Sequence, residues 1–185
     1  VQAPWDRAAV AGKPHPHCFT RGPAESATCT VAITADGAPT TQSGIADLVI
    51  LKSTDSAFSG FPRDQFTTLP ETQDRIFCTS LSVRWDYTAA SKGAAVDFTS
   101  CRAAIRTTLI ETFATHQSKS VQHTLHAMGQ AALDGCSAIA RITLTMPNKH
   151  CLLFDLSRFG MENNNEVFVP TTEPYGLIEA TLERC

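Results

Sequence analysis

The sequence lacks the features that mark several classes of protein. No run of apolar residues approaches the ~20 that a transmembrane helix needs, and no basic-then-apolar leader opens the chain. An excess of basic residues is also missing, because 15 Lys and Arg stand against 18 Asp and Glu, for a formal net charge of -3. Such a balance argues against a general nucleic-acid binder that relies on backbone electrostatics. We therefore expect neither a membrane nor a nucleic acid as a partner.

The seven cysteines include no C-x-x-C pair, so the usual spacing of a zinc ligand set or a redox dithiol is missing. Their odd number, without a secretory leader, does not fit a disulfide framework. Most lie among apolar residues, as Cys78 does after Ile76 and Phe77, and a reduced thiol in such surroundings behaves as a small hydrophobic group. We interpret the cysteines as packing residues in a reducing compartment rather than as redox groups.

The composition is that of a globular chain, with 185 residues of which 43% are hydrophobic and 18% charged. The first ~40 residues consist of extended segments and turns. Strands are predicted at 1–5 and 28–34, a turn at 36–39, and Pro14 and Pro16 exclude a helix around them. Further strands are predicted at 45–51 and, from the alternation of apolar and polar residues, at 81–87.

Two helices follow these strands. Asp97 or Thr99 is a plausible N-cap of the first helix, whereas Ser120 begins the second and Gly135 stops it. Both helices carry apolar residues three or four positions apart, namely Ile105, Leu109 and Phe113 in the first and Val121, Leu125, Met128 and Ala132 in the second.

Apolar and polar residues alternate again at 141–146 and 178–183, which predicts two more strands, and a long loop is predicted at 156–175. The order strand, strand, helix, helix, strand, strand predicts an α+β fold in which an antiparallel sheet carries a helix pair on one face. A sheet of this kind has two edges that must be paired or hidden, so we expect it to assemble with other sheets.

Several stretches, in family order along nearly the whole chain, resemble urate oxidase (uricase). They are 12–17, 49–54, 58–76, 120–122, 146–150, 165–168 and 174–181. The resemblance implies two T-fold modules: residues 1–40 are expected to be closing strands of a first, incomplete module and 41–185 to form the second. A family subunit also carries a preceding stretch with a Lys and a Thr of the catalytic relay. The chain is therefore expected to be the C-terminal portion of a truncated or split subunit.

The resemblance implies the substrate-binding residues. Arg75 matches the binding arginine, whose planar fork suits a flat anion; without the family it would be a surface residue of an Asp–Arg pair. Gln122 matches the glutamine that pairs with the opposite edge of a purine. Val121 matches a residue whose backbone contacts the ligand, although its periodicity also fits the core. Phe58 matches the aromatic residue that stacks on the purine, and otherwise would be a loop anchor.

Asn148 and His150 are the catalytic residues that the resemblance implies. They lie two apart, so on an extended segment their side chains share one face. Asn148 is expected to hydrogen-bond in the pocket above the purine ring, where dioxygen or water sits. His150 is expected to end the proton relay, because neutral imidazole both donates and accepts near neutral pH.

We expect no metal and no organic cofactor. The pairs His15 and His17, and His123 and His126, have no carboxylate or thiolate at supporting spacing, and the resembled family uses no metal. The implied reaction oxidises urate with dioxygen and water to 5-hydroxyisourate and hydrogen peroxide, a step of purine degradation. Dioxygen enters as a co-substrate, and the electrons come from deprotonated urate.

Two alternatives remain beside this enzyme. One is a catalytically inactive fragment that binds a purine or pterin, and the other is a structural subunit that needs a separate N-terminal half. Active sites are expected at the interfaces of a barrel-like homotetramer. Because the chain ends without the peroxisomal tripeptide of eukaryotic relatives, we expect a cytoplasmic location of bacterial type, with a peroxisomal one for a eukaryotic source.

Overall fold

The computed structural model describes residues 4–35, 37, 39–88 and 96–184. Within these ranges nine strands, two α-helices and a short 3₁₀ helix at Ser157–Phe159 are present. The elements in chain order are β1 (Asp6–Val10), β2 (Lys13–Arg21), β3 (Ser26–Ile33), β4 (Pro39–Lys52), β5 (Phe77–Tyr87), α1 (Phe98–Thr115), α2 (Val121–Gly135), β6 (Ile139–Asn148), β7 (Cys151–Leu153), β8 (Phe168–Pro170) and β9 (Gly176–Glu183).

Seven of these strands form one antiparallel sheet. Its order is β1-β2-β4-β5-β6-β9, and β3 pairs with β4 beside β2. The long strand β4 allows this arrangement, because its first part pairs with β3, its last part pairs with β2, and β5 lies along its other edge. The expected order of two strands, two helices and two strands is therefore present in β4, β5, α1, α2, β6 and β9.

The helix ends follow local hydrogen bonds that the sequence indicated. Asp97 is the N-cap of α1, because its carboxylate accepts from the backbone N–H groups of Thr99 and Ser100. The Ser120 side chain accepts from the N–H of His123 and so caps α2, which ends at Gly135 as predicted. Each cap fixes the residue at which its helix starts.

The helices pack on one face of the sheet and form the core with it. Alternate residues of the central strands face the helices, which confirms the alternation predicted for β5 and β6. Large side chains that are almost fully buried include Phe77, Leu81, Trp85, Ile105, Leu109, Phe113, Leu125, Met128, Ile142, Leu144 and Met146. The outer strands differ, since β3 is exposed along its whole length and β9 along most of it.

Some sequence predictions need correction. The first strand begins at Asp6 rather than at Val1, and Val1–Ala3 lie outside the described residues. Part of the predicted 156–175 loop is strand β8, because it pairs with the distant β7. The turn at 36–39 is described only in part: Gly37 has a φ of 80° and its N–H donates to the carbonyl of Thr34. The division into modules at residues 40 and 41 stays a prediction.

The packing role predicted for the cysteines holds for only some of them. The thiols of Cys18, Cys78 and Cys101 are buried, those of Cys136 and Cys151 are half-buried, and Cys185 lies outside the described residues. Cys29 is exposed, so the prediction is wrong there, because β3 is an outer strand that the helices do not cover.

Neither helix in the described ranges is both long and apolar enough to cross a membrane.

Candidate functional site

Arg75 lies just before β5 and does not pair with its neighbour Asp74. The Asp74 carboxylate instead accepts from the Thr54 hydroxyl at 2.7 Å and from the N–H of Ser56 at 3.4 Å. These bonds fasten the loop after β4 to the segment before β5. The interpretation of Arg75 as one half of a surface Asp–Arg pair is therefore wrong.

The Arg75 guanidinium is half-buried against two aromatic rings. Its Cζ atom lies 5.9 Å from the ring centre of Phe58 and 5.7 Å from that of Phe77. Nη1 lies 3.5 Å from Oδ1 of Asn148, at the outer limit of a hydrogen bond. The buried Nε atom has no hydrogen-bond partner among the described residues. Burial lowers the pKa of Arg75, so this cation lies in a place where an anion would stabilise it.

Phe58 lies in the loop between β4 and β5, which has well-defined backbone contacts. Its N–H donates to the carbonyl of Thr72, and the N–H of Thr72 donates to the carbonyl of Phe58. The ring of Phe58 stacks on that of Phe61, with a centroid distance of 4.4 Å and an angle of 20° between the planes. One face of Phe58 is thus covered from within the loop, while Arg75 lies nearby.

The same loop is joined to the segment that precedes α2. The N–H of Ala57 donates to the carbonyl of Ser118, and that of Ser59 donates to the carbonyl of Lys119. These bonds place the first turn of α2, which contains Val121 and Gln122, next to the Phe58 loop.

Val121 and Gln122 differ in their surroundings. The Val121 side chain is 3% exposed and belongs to the core, as its periodicity indicated. Gln122 is exposed on the first turn of α2. In the described part of the chain, the Gln122 side chain forms no hydrogen bond with Arg75 or with the Phe58 loop. The structure therefore brings their segments together without a bond between the side chains.

Asn148 reaches Arg75 because of the pairing between β5 and β6. The antiparallel register extends to Cys78 in β5 and Lys149 just after β6, where the N–H of Lys149 donates to the carbonyl of Cys78 at 3.0 Å. Asn148, the last residue of β6, consequently lies beside the segment that leads into β5. Residues 73 positions apart in the chain thus meet at one end of the sheet.

His150 lies two residues beyond Asn148 and is half-buried. Its carbonyl accepts from the backbone N–H and the hydroxyl of Thr171, which holds this segment next to β8. Among the described residues, the His150 imidazole forms no hydrogen bond with Arg75 or Asn148. The shared face predicted for Asn148 and His150 stays a prediction.

Lys52 is a buried cation that the sequence analysis missed. Its side chain is 1% exposed, its Nζ donates to the carbonyl of His116 at the end of α1, and Nζ lies 5.7 Å from the ring centre of Phe113. Burial lowers the pKa of Lys52. A signal was available, because a charged residue two positions after Ile50 falls on the inward face of β4.

Two histidines pack beside this lysine. The ring centres of His116 and His123 are 4.3 Å apart, and Nδ1 of His116 lies 3.4 Å from the hydroxyl of Thr124. Burial first, and then the charges of His123 and Lys52, lower the pKa of His116. Within the described ranges, no group of three or more His, Cys, Asp or Glu side chains is arranged to hold a metal ion.

Comparison with known protein families shows the family of this chain. The family model described as "Uricase" matches residues 41–179, which run from within β4 to within β9 and include every residue of the site. The chain belongs to the uricase family. A uricase of Arthrobacter globiformis is 42% identical over 180 residues, which are 97% of this chain and 57% of that protein. A uricase of Dictyostelium discoideum is 39% identical over 173 residues, 94% of this chain and 58% of that protein.

A solved uricase structure matches the fold. The crystal structure of the Arthrobacter globiformis uricase has a TM-score of 0.81 and 41% sequence identity to this chain, and the match covers 98% of this chain and 60% of that one. The antiparallel sheet with its helix pair is thus the T-fold of the uricases. The chain spans under two thirds of the length of these uricases, so it corresponds to part of a uricase subunit.

Proposed function

We propose that this chain is the C-terminal portion of a urate oxidase. The proposed reaction converts urate, dioxygen and water to 5-hydroxyisourate and hydrogen peroxide without a metal or organic cofactor, as a step of purine degradation. Family membership supports the oxidoreductase activity. The arrangement of Phe58, Arg75 and Asn148 supports the choice of a flat anionic substrate.

The half-buried guanidinium of Arg75 is the observation on which this proposal depends most. A desolvated cation is stabilised by charge-assisted hydrogen bonds, and the planar fork of arginine can give two parallel ones to an anion with neighbouring acceptors. The urate anion offers carbonyl oxygens and ring nitrogens on one edge. Binding it would provide a partner for Nε, which has none among the described residues.

Phe58 and Gln122 would orient the substrate around Arg75. The purine would stack on the face of Phe58 that Phe61 leaves uncovered. The Gln122 carboxamide would pair with the opposite edge, since it can donate to a carbonyl and accept from a ring N–H. The backbone of Val121 would contact the same edge, whereas its side chain remains in the core.

Asn148 and His150 would act on the face of the ring where oxidation takes place. The amide of Asn148 has its oxygen directed to Arg75, and its NH₂ group would hold dioxygen or water above the purine. His150 would accept or return a proton as the end of the relay, because imidazole exchanges protons near neutral pH. The Lys and Thr partners of that relay would come from the preceding part of a uricase subunit.

Assembly is part of this proposal. The active site would lie at an interface in a homotetramer with a barrel-like arrangement of sheets, completed either by the same polypeptide or by a separate N-terminal half. The exposed outer strands β3 and β9 support such pairing. The cytoplasmic location expected from the sequence stays a prediction.

Urate binding and urate consumption by this chain together test the proposal. Binding is measured by equilibrium dialysis with urate, and consumption by the loss of the ultraviolet absorbance of urate with simultaneous release of peroxide. We expect binding by the chain itself, and turnover when the preceding half of a uricase subunit is supplied. Binding without turnover in that mixture would favour the inactive fragment, and the absence of any binding in it would overturn the proposal.

A further inference from the structure

Two cysteine thiols lie close together at the end of the helix pair where α1 begins and α2 ends. The Sγ atoms of Cys101 and Cys136 lie 3.0 Å apart, although 35 positions separate these residues in the chain. Cys101 lies in the first turn of α1, and Cys136 is the C-cap of α2. The contact therefore joins the beginning of one helix to the end of the other, away from the Phe58–Arg75–Asn148 site.

The backbone holds both cysteines in place. The N–H of Cys101 donates to the carbonyl of Asp97 at 2.9 Å, and the N–H of Cys136 donates to that of Ala132 at 3.1 Å. The carbonyl of Cys136 accepts from the N–H of Ile139 and from the Arg184 guanidinium. Because each cysteine is fixed within a hydrogen-bonded helix end, the short distance between the thiols does not depend on a flexible loop.

The two thiols differ in their access to solvent. Cys101 is 8% exposed, whereas Cys136 is only half-buried. Burial first, and then the hydrogen bond with Cys136, raise the pKa of Cys101 to about 12. Cys101 therefore remains a protonated thiol at neutral pH, and a small oxidant from solvent reaches Cys136 first.

We infer that Cys101 and Cys136 are a peroxide-oxidisable thiol pair whose disulfide ties the start of α1 to the end of α2. In the first step Cys136 gives its proton to water and attacks hydrogen peroxide as the thiolate, the O–O bond breaks, and Cys136 sulfenic acid forms together with a hydroxide ion that takes up the released proton. In the second step the sulfur of Cys101 attacks the sulfenic sulfur, and the S–S bond forms as one water molecule leaves. Overall, two thiols and one peroxide give one disulfide and two water molecules.

The source of peroxide does not limit this inference. The reaction proposed above releases hydrogen peroxide, but peroxide added from outside serves the same chemistry. The thiol pair can therefore be present even if the proposed urate oxidation is wrong. Its consequence is structural, because a cross-link across the helix pair restricts the unfolded chain and stabilises the fold.

Mass spectrometry of the peroxide-treated, folded chain tests the inference. We expect the intact mass to fall by two hydrogen atoms, and digestion to release the Cys101 peptide linked to the Cys136 peptide. The melting temperature is expected to rise by about 5 °C or more, and dithiothreitol should reverse both changes. The Cys29→Ser variant, which removes an exposed thiol outside the pair, should behave like the unmodified chain.

Single substitutions within the pair separate the two steps. With Cys101→Ser, we expect Cys136 to stop at sulfenic acid, which a cyclic 1,3-diketone traps as a mass adduct. With Cys136→Ser, Cys101 should stay a thiol under the same treatment. A cross-link confined to other cysteines, such as Cys78 with Cys151, would overturn the inference, as would a Cys136 that oxidises beyond sulfenic acid while Cys101 stays reduced.

Discussion

Lys52 at the end of β4 and Arg75 just before β5 are two cations for which burial has different outcomes. Lys52 is enclosed more completely, but its ammonium donates to the carbonyl of His116 and so satisfies an acceptor at the end of α1. Arg75 has a long contact with Asn148 and a buried Nε without a partner in the described ranges. Because buried polar groups are normally satisfied, the unpartnered Nε of Arg75 beside two aromatic rings supports the binding site proposed there, whereas the Lys52 ammonium already has its acceptor.

Substitutions of Arg75 and His150 should affect different steps, urate binding in the first case and turnover in the second. We expect Arg75→Ala to weaken urate binding by about 30-fold or more, because charge-assisted hydrogen bonds are lost. His150→Ala should instead lower kcat more than it weakens binding, since the imidazole is proposed to move a proton. Equilibrium dialysis measures the urate affinity, and steady-state rates measure kcat. Both are determined with the preceding half of a uricase subunit supplied.

The control for Arg75→Ala is substitution of an exposed arginine in β5, the strand that follows Arg75. Arg84→Ala removes a surface ion pair with Glu179 and should leave urate binding unchanged. If Arg75→Ala binds urate as tightly as Arg84→Ala does, the assignment of Arg75 as the anion-binding residue is wrong.

His116 should make the stability of the fold depend on pH. Because its pKa in the fold is lowered from the ordinary value of 6.5, the unfolded chain binds more protons than the folded one between the two values. The stabilising effect is therefore fully present above about pH 6.5 and is lost as the pH falls below it. We expect the urea midpoint to fall between about pH 7.5 and about pH 5.5, and to fall less in His116→Gln.

The exposed histidine of α2 provides the comparison for this measurement. His126→Gln should keep the pH dependence of the unmodified chain, because His126 is exposed and outside the His116–His123 contact. An identical pH dependence in His116→Gln and the unmodified chain would contradict the role of His116.

At the scale of elements, β4 is the strand on which the rest of the sheet depends. It pairs along one edge with β5 and along the other with both β2 and β3. A mostly apolar segment indicated a strand at 45–51, but not that this strand extends from Pro39 to Lys52. The first part was not recognised because Thr40–Ser43 are polar, and backbone pairing with β3 holds them in the sheet.

Gly44 in β4 should not tolerate a side chain. A Cβ atom there would lie 2.4 Å from the carbonyl oxygen of Val83 and 2.6 Å from the hydroxyl of Thr28, so the neighbouring strands would have to move apart. We expect Gly44→Ala to lower the free energy of unfolding by about 2 kcal/mol or more in urea titrations. At Gly135 the nearest atom to such a Cβ is 3.6 Å away, so Gly135→Ala should be neutral or slightly stabilising. Equal stability of the two variants would show that the strand spacing is not as tight as the structure has it.

For the whole molecule, the exposure of its outer strands fits the assembly proposed above. The helices cover one face of the central strands, but β3 carries Val31 and Ile33 at 61% and 72% exposed, and β9 carries Leu177 at 64% exposed. Apolar side chains on outer strands are typical of surfaces that pair with another sheet. The exposed apolar side chains support the proposed oligomer, and we propose the outer strands as its contact.

Sedimentation velocity should show this assembly directly. We expect a species heavier than the 20.0 kDa of a single chain, and we expect the double variant Val31→Lys and Ile33→Lys to shift the distribution toward that mass. Ala103→Lys on the exposed side of α1 is the control and should sediment like the unmodified chain. A monomer at all concentrations for the unmodified chain would contradict the proposed contact.

Local patterns were enough to predict most elements of this fold. The caps Asp97 and Ser120, the stop at Gly135 and the alternation in β5 and β6 depend on hydrogen bonds and side-chain directions within a few residues, so they can be read along the chain. The resemblance to a known family supplied the list of site residues, which spacing by itself did not provide.

Contacts between residues that are distant in the chain were determined only by the tertiary structure. The proximity of Arg75 to Asn148, the enclosure of Lys52 and the meeting of Cys101 with Cys136 all depend on strand register and on how two helices lie across it. A linear pattern specifies which face a side chain occupies, but not which residue from elsewhere in the chain it meets there. That second question is decided by packing, because burial and backbone pairing act across the whole fold at once.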